Sequence, residues 1–246
     1  MFKLPTFKSE FSRNTIILIA GTVVAQSIPL LLQPILRRVY SAEDFGALAV
    51  YLTLFSMLTI VFSFRYEAAI VLPKNNNVAA NILSLTFIIN IFFSVVLFLS
   101  LLFFKTTIVE WVGLPSKYSN YLYFLPVTCL VFSMYQSMNY WLVRKKAFKE
   151  SANNKIIRRA TEGVIQTAAG FLKIPGGLFI GDLFGNIANA ASGLWQIKKQ
   201  SFHFKLISRR KISYAFKRYI DFPKFNLFPT LLSSAATVLP FLFINK

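Results

Sequence analysis

Long uncharged apolar runs alternate along this chain with short polar breaks that are mostly basic. The runs are continuous rather than alternating at every second residue, so they predict helices and not strands. A helix that crosses a bilayer needs about 20 mostly apolar residues. Residues 14–36, 46–72, 78–104 and 118–143 meet that length. A more polar fifth run, 156–172, holds Arg158, Arg159 and Glu162. A sixth, 174–197, holds Asp182, and a seventh starts at Phe225 and is still apolar at Ile244. The pattern predicts an all-α integral membrane protein. Residues 1–197 would form a six-helix transmembrane bundle, 198–224 a basic cytoplasmic linker, and 225–246 the start of a seventh, incomplete helix.

The basic residues are unequally shared among the breaks. With a cytoplasmic N-terminus, the inside segments 1–13, 73–77, 144–159 and 198–224 carry 20 of the 27 Lys and Arg. The outside breaks carry five: Arg37, Arg38, Lys105, Lys117 and Lys173. This asymmetry predicts a multi-pass membrane protein with its N-terminus inside. Missing one helix would invert every later break and erase the asymmetry. The first run has 23 residues, longer than the about 7–15 of a signal-peptide core, and reads as an uncleaved first helix.

Composition narrows the function classes. Charged residues are 15% of the chain and hydrophobic residues 55%, whereas soluble domains carry about 25% charged residues. The net charge of +18 falls between apolar runs rather than on one face of a soluble fold. It therefore reads as topology and as affinity for anionic headgroups, not as a nucleic-acid site. Cys129 is the one cysteine and lies in an apolar run, which excludes an internal disulfide and a cysteine metal site. His203, the one histidine, sits in the basic linker with no Cys or Asp clustered around it in sequence and reads as solvated. No metal or other cofactor is predicted.

Small and kinking residues mark packing surfaces. Gly177, Gly181 and Gly185 share one helical face, a spacing that lets backbones approach closely, either within the chain or between two copies. Pro175-Gly176-Gly177 predicts a tight outer turn. In the first helix, Gln26, Pro29 and Gln33 also share a face, and Pro29 and Pro34 free backbone carbonyls that neighbours or water must satisfy. That face is expected to look inward, for interhelical hydrogen bonds or for substrate.

Charges inside the apolar runs are the candidate chemistry. Arg65-Tyr66-Glu67 follows 19 uncharged residues, 46–64. A charged group at the bilayer centre costs about 2.5–3.5 kcal/mol on insertion scales, so such residues pair, line a cavity or sit at an interface. Spaced by two on a helix, Arg65 and Glu67 point to different faces, so each is expected to need another partner. The positive-inside assignment puts them in the cytoplasmic half of the second helix, at the interface or at a cavity mouth.

Two blocks carry a family resemblance. Gln33-Pro34-Ile35-Leu36-Arg37-Arg38-Val39-Tyr40 closes the first helix and Ser41-Ala42-Glu43-Asp44-Phe45-Gly46 enters the second. Arg65-Tyr66-Glu67-Ala68-Ala69-Ile70-Val71-Leu72-Pro73 closes that second helix. The chain resembles the N-terminal half of bacterial polysaccharide flippases, also called O-antigen or lipid-linked oligosaccharide flippases. These belong to the superfamily that includes the multidrug and toxic-compound extrusion transporters. The resemblance implies two pseudo-symmetric six-helix bundles with both termini cytoplasmic. It implies a place in the cell inner membrane and translocation of an undecaprenyl-diphosphate-linked oligosaccharide across it by alternating access. With about half the helices of such a transporter, the chain is expected to be a truncated copy or one part of a split one. Expected partners are membrane lipids, the lipid-linked oligosaccharide, a second half-transporter, and a glycan polymerase or glycosyltransferases.

On that reading the diphosphate needs Arg, whose planar fork pairs with its oxygens and stays charged. Arg65, Arg37 and Arg38 are the candidates, with Gln26 and Gln33 for sugar hydroxyls. Glu67 is a candidate for substrate contact or charge balance, and Asp182 for charge balance or a coupling cation. Snorkelling at the interface competes for Arg37 and Arg38, and a polar contact between helices competes for Asp182. A small-cation or drug exporter would instead favour acidic and aromatic linings. An enzyme acting on polyprenyl phosphates would need clustered carboxylates or a nucleophile and base. The nine acidic residues are scattered, and helix capping accounts for the adjacent Glu43-Asp44. A non-functional fragment or an assembly partner is the remaining alternative.

Overall fold

The computed structural model describes residues 10–233 and residue 236. Among these, every regular element is helical, as the continuous runs predict. Six long helices come first: α1 (Glu10–Val39), α2 (Ala42–Phe62), α3 (Asn76–Val112), α4 (Leu125–Arg144), α5 (Phe148–Phe171) and α6 (Gly177–Lys199). A short α7 (Arg209–Arg218) lies in the basic linker. Arg13–Val39 of α1, α2 and α3 are long and apolar enough to cross a membrane, which makes this a membrane protein. The other three long helices are more polar because they face one another. Their buried polar residues include Thr128, Ser133 and Ser137 of α4, Asn154 and Gln166 of α5, and Asp182, Asn186 and Asn189 of α6. Residues 1–9 of the basic N-terminal segment lie outside the described residues. So does most of 234–246, the end of the seventh predicted helix.

Local chemistry sets the helix ends. Ser41 caps α2 in a capping box: its hydroxyl accepts from the Asp44 backbone N–H, while the Asp44 carboxylate accepts from the Ser41 backbone N–H at 2.8 Å. At the far end α2 stops at Phe62, ten residues short of the predicted 46–72. Phe64 and Arg65 adopt positive φ of 49° and 61°, a left-handed conformation that no α-helix continues through. The chain resumes as a tighter 3-10 helix over Tyr66–Val71. The predicted helix 118–143 also divides, into a 3-10 stretch Ser116–Phe124 and α4, with a proline in the first turn of α4. α3 continues eight residues past the predicted end and stops at Gly113, whose φ is +66°.

α5 departs most from the sequence reading. It begins at Phe148 rather than 156, because Lys149, Asn153 and Lys155 are placed on helix faces rather than in a loop. Four basic residues assigned to the 144–159 break, Lys149, Lys155, Arg158 and Arg159, are therefore inside a helix.

Backbone proximity holds α1, α5 and α6 together. A β-carbon on Gly185 would stand 2.9 Å from Glu162 Cβ and 3.0 Å from the Arg158 carbonyl oxygen. One on Gly181 would stand 2.3 Å from Gln166 Cγ, and one on Gly163 2.2 Å from Leu32 Cδ1. The glycine face of α6 is thus used within the chain. Two apolar clusters fill the opposite ends. One gathers Tyr66, Ile70, Leu83, Met138, Trp141 and Ile197. The other gathers Tyr51, Phe55, Leu101, Leu122 and Phe179, with Cys129 buried among them.

The linker folds back onto the helices. Asn81 of α3 donates to the Leu206 carbonyl at 2.9 Å and accepts from the Ser208 N–H at 2.9 Å. Tyr66 donates its hydroxyl to the Phe216 carbonyl at 3.0 Å and stacks on the Phe216 ring. His203 is exposed in this segment, as its loop position predicts.

Candidate functional site

A polar cavity of about 250 Å³ opens among α1, α4, α5 and α6. α1 contributes Thr22, Ala25 and Gln26, and α4 contributes Phe132, Tyr135 and Gln136. α5 contributes three cations, Lys155, Arg158 and Arg159, and α6 contributes Asn189. The cations converge because Lys155, Arg158 and Arg159 are spaced by three and four and lie on one face of α5. Glycines at the α1–α5 and α5–α6 contacts bring that face close to its neighbours.

Each cation is held differently. Lys155 Nζ donates to Thr22 Oγ1 at 2.9 Å. Arg159 donates to Glu162 Oε2 at 2.8 Å. Arg158 stands 3.6 Å from Asp182 Oδ1, and its guanidinium lies 5.3 Å from the centre of the Phe132 ring. Two carboxylates thus stand against three cations, leaving one net positive charge in the cluster. Arg158 Nε, Asp182 Oδ2 and Asn189 Oδ1 are buried without a hydrogen-bond partner. Unmade hydrogen bonds at buried polar atoms are costly, so this cavity offers donors and acceptors to water or a ligand.

The residues singled out from sequence fall into three places. Gln26 lines the cavity, and Asp182 stands behind it as the partner of Arg158. Gln33 and Arg37 line a separate cleft of about 430 Å³ with Tyr40, Ala42 and Phe45. Arg38 is exposed at the end of α1. Arg65 and Glu67 lie beyond the end of α2, on the segment that packs against α3 and α4.

The expectation that Arg65 and Glu67 cannot pair is overturned. Their charged groups are 3.5 Å apart, Glu67 almost fully buried and Arg65 about one-third exposed. The expectation assumed α-helical geometry, and the left-handed turn at Phe64 and Arg65 removes it. Arg144 secures the neighbouring segment, donating to the carbonyls of Pro73 and Lys74 and to Asn76 Oδ1.

Lys155, Arg158 and Arg159 are site residues that the sequence does not single out: Arg158 and Arg159 fall in the predicted fifth helix but also at the edge of the inside basic segment 144–159, and Lys155 falls just before that helix. Their spacing of three and four, continued by Glu162, is the signal that marks them as one helical face.

The model of a family described as polysaccharide biosynthesis protein matches residues 11–242. The chain belongs to the polysaccharide biosynthesis protein family. Its members are transporters rather than enzymes. No curated protein and no solved structure matches the chain. Membership gives the polar cavity its context: a cationic chamber among the helices of a polysaccharide biosynthesis family member.

Proposed function

We propose that this chain takes part in moving undecaprenyl-diphosphate-linked oligosaccharide between the leaflets of the inner membrane by alternating access. That role places it in O-antigen or related lipopolysaccharide biosynthesis. The observation that carries the reading is the three-cation lining of the α1–α4–α5–α6 cavity. A diphosphate is excluded from hydrocarbon, and a route across the membrane must offer it fixed positive charge and hydrogen-bond donors. Arg158 and Arg159 suit the diphosphate oxygens, with Lys155 as a point charge. Gln26 and Asn189 suit sugar hydroxyls. Gln33 and Arg37 would receive the same groups at the other end of α1, and Arg65 and Glu67 would flank the opposite mouth.

In this reading all six long helices cross the membrane and the N-terminus is cytoplasmic. The charge asymmetry supports it: with the four basic residues of α5 removed from the inside count, 16 remain against five outside. A second half-transporter would complete the central pathway, and a glycan polymerase or glycosyltransferases would supply and consume its cargo. A cation exporter fits this lining less well, because three basic side chains repel its substrate.

Binding of a polyprenyl diphosphate to the purified chain in detergent tests the reading. The diphosphate should bind at least about tenfold more tightly than the polyprenyl alcohol, since charge-assisted hydrogen bonds contribute about 1.5–3 kcal/mol each. Lys155→Gln combined with Arg159→Gln should remove most of that difference. Equal binding of alcohol and diphosphate would overturn the proposal.

A further inference from the structure

A second recess lies apart from the basic cavity, between α3 and the folded linker. It holds about 770 Å³, inside the range of about 300–1,000 Å³ usual for ligand sites. Ile88 and Phe92 of α3, Phe64, and Phe216 and Ile220 of the linker are among the residues that line it, with Lys224 as its charged lining residue. The linker wall is held in place by the two Asn81 hydrogen bonds and by Tyr66 against Phe216. Ile88 and Phe92 are 53% and 60% exposed, so the recess is open toward the side on which α3 meets lipid.

Charge decides what fits it. Lys224 lines the recess, and Arg209, Arg210, Lys211, Lys217 and Arg218 are exposed elsewhere on the same linker, where Asp221 is the one acid between 209 and 224. An apolar slot lined by a lysine and walled by a basic linker complements a molecule with a hydrocarbon chain and an anionic head. A second copy of this chain would bring an equally basic linker, and the two would repel.

We propose that this recess holds an acyl chain of an anionic membrane phospholipid whose phosphate pairs with Lys224, so that the lipid secures the linker against α3. The site is independent of the basic cavity and of the cargo assigned to it.

Native mass spectrometry of the purified chain with phosphatidylglycerol and phosphatidylcholine of identical acyl chains tests the proposal. Phosphatidylglycerol should be retained in preference. Basic groups near a membrane surface attract anionic lipid by an amount that makes loss of one worth roughly fivefold in affinity. Lys224→Gln should therefore cut the preference about fivefold while leaving retention of both lipids. Ile88→Trp, which fills the slot, should reduce retention of both. These positions are exposed, and an unchanged melting temperature in lipid-free detergent verifies that the variants fold. Equal retention of the two lipids by the unaltered chain would overturn the proposal. So would undiminished phosphatidylglycerol retention in either variant.

Discussion

The buried pair Arg158–Asp182 offers a sharp test of the physics of the cavity. The charges are 3.6 Å apart, with Asp182 side-chain exposure of 2% and Arg158 of 18%. At an effective dielectric near 20, opposite charges at that distance attract by about 5 kcal/mol. Desolvation of both groups offsets much of this, so the net contribution of the pair is small. Removing one partner differs, because the other charge stays buried and uncompensated. Asp182→Asn should therefore destabilise the fold by about 3 kcal/mol, with Glu162 as the remaining counter-charge near Arg158. Arg158→Gln should cost a similar amount. The double variant should cost much less than their sum, with a coupling of roughly 2–3 kcal/mol. Equilibrium unfolding of the purified protein in mixed micelles by a denaturing detergent measures all three. Additivity within about 0.5 kcal/mol would refute the claim that these two residues share one interaction. The cycle also carries a functional corollary: Asp182→Asn frees Arg158 and should tighten, not weaken, binding of an anionic ligand in the cavity.

Two further outcomes follow from the packing. Asn81→Ala leaves the Leu206 carbonyl and the Ser208 N–H without their partner, a loss of roughly 1–3 kcal/mol. Limited trypsin digestion should then cleave at Arg209, Arg210 and Lys211 several-fold faster, and an unchanged rate would show that Asn81 does not dock the linker. Gly185→Leu pushes α6 against Glu162 Cβ and the Arg158 carbonyl, where overpacking costs about 1–3 kcal/mol or more. The variant should show a lower melting temperature and a distorted basic cavity. An unchanged temperature would mean that the two helices are not held at this separation.

Much of this protein is determined by its sequence alone. Uninterrupted apolar runs of bilayer length can satisfy their backbone groups only as helices, so helical membrane structure follows from composition and run length. The Ser41 capping box and the turn at Gly176 are local as well, since each depends on a few adjacent residues. The glycine spacing on α6 identifies a close-packing face, and tertiary structure then shows that α5 fills it. What sequence position could not settle is where charges sit. Arg65 and Glu67 pair because Phe64 and Arg65 turn left-handed, a break invisible in a run that stays apolar on both sides. Lys155 reads as a charge of the inside break, and Arg158 and Arg159 as charges at the start of the fifth helix. They become a cavity lining because α1, α4 and α6 pack around α5 and give Arg158 a buried carboxylate, an aromatic ring and space to accept a ligand. Charge burial is a property of neighbours distant in sequence, so the tertiary structure alone decides which of the 27 basic residues are topology and which are chemistry.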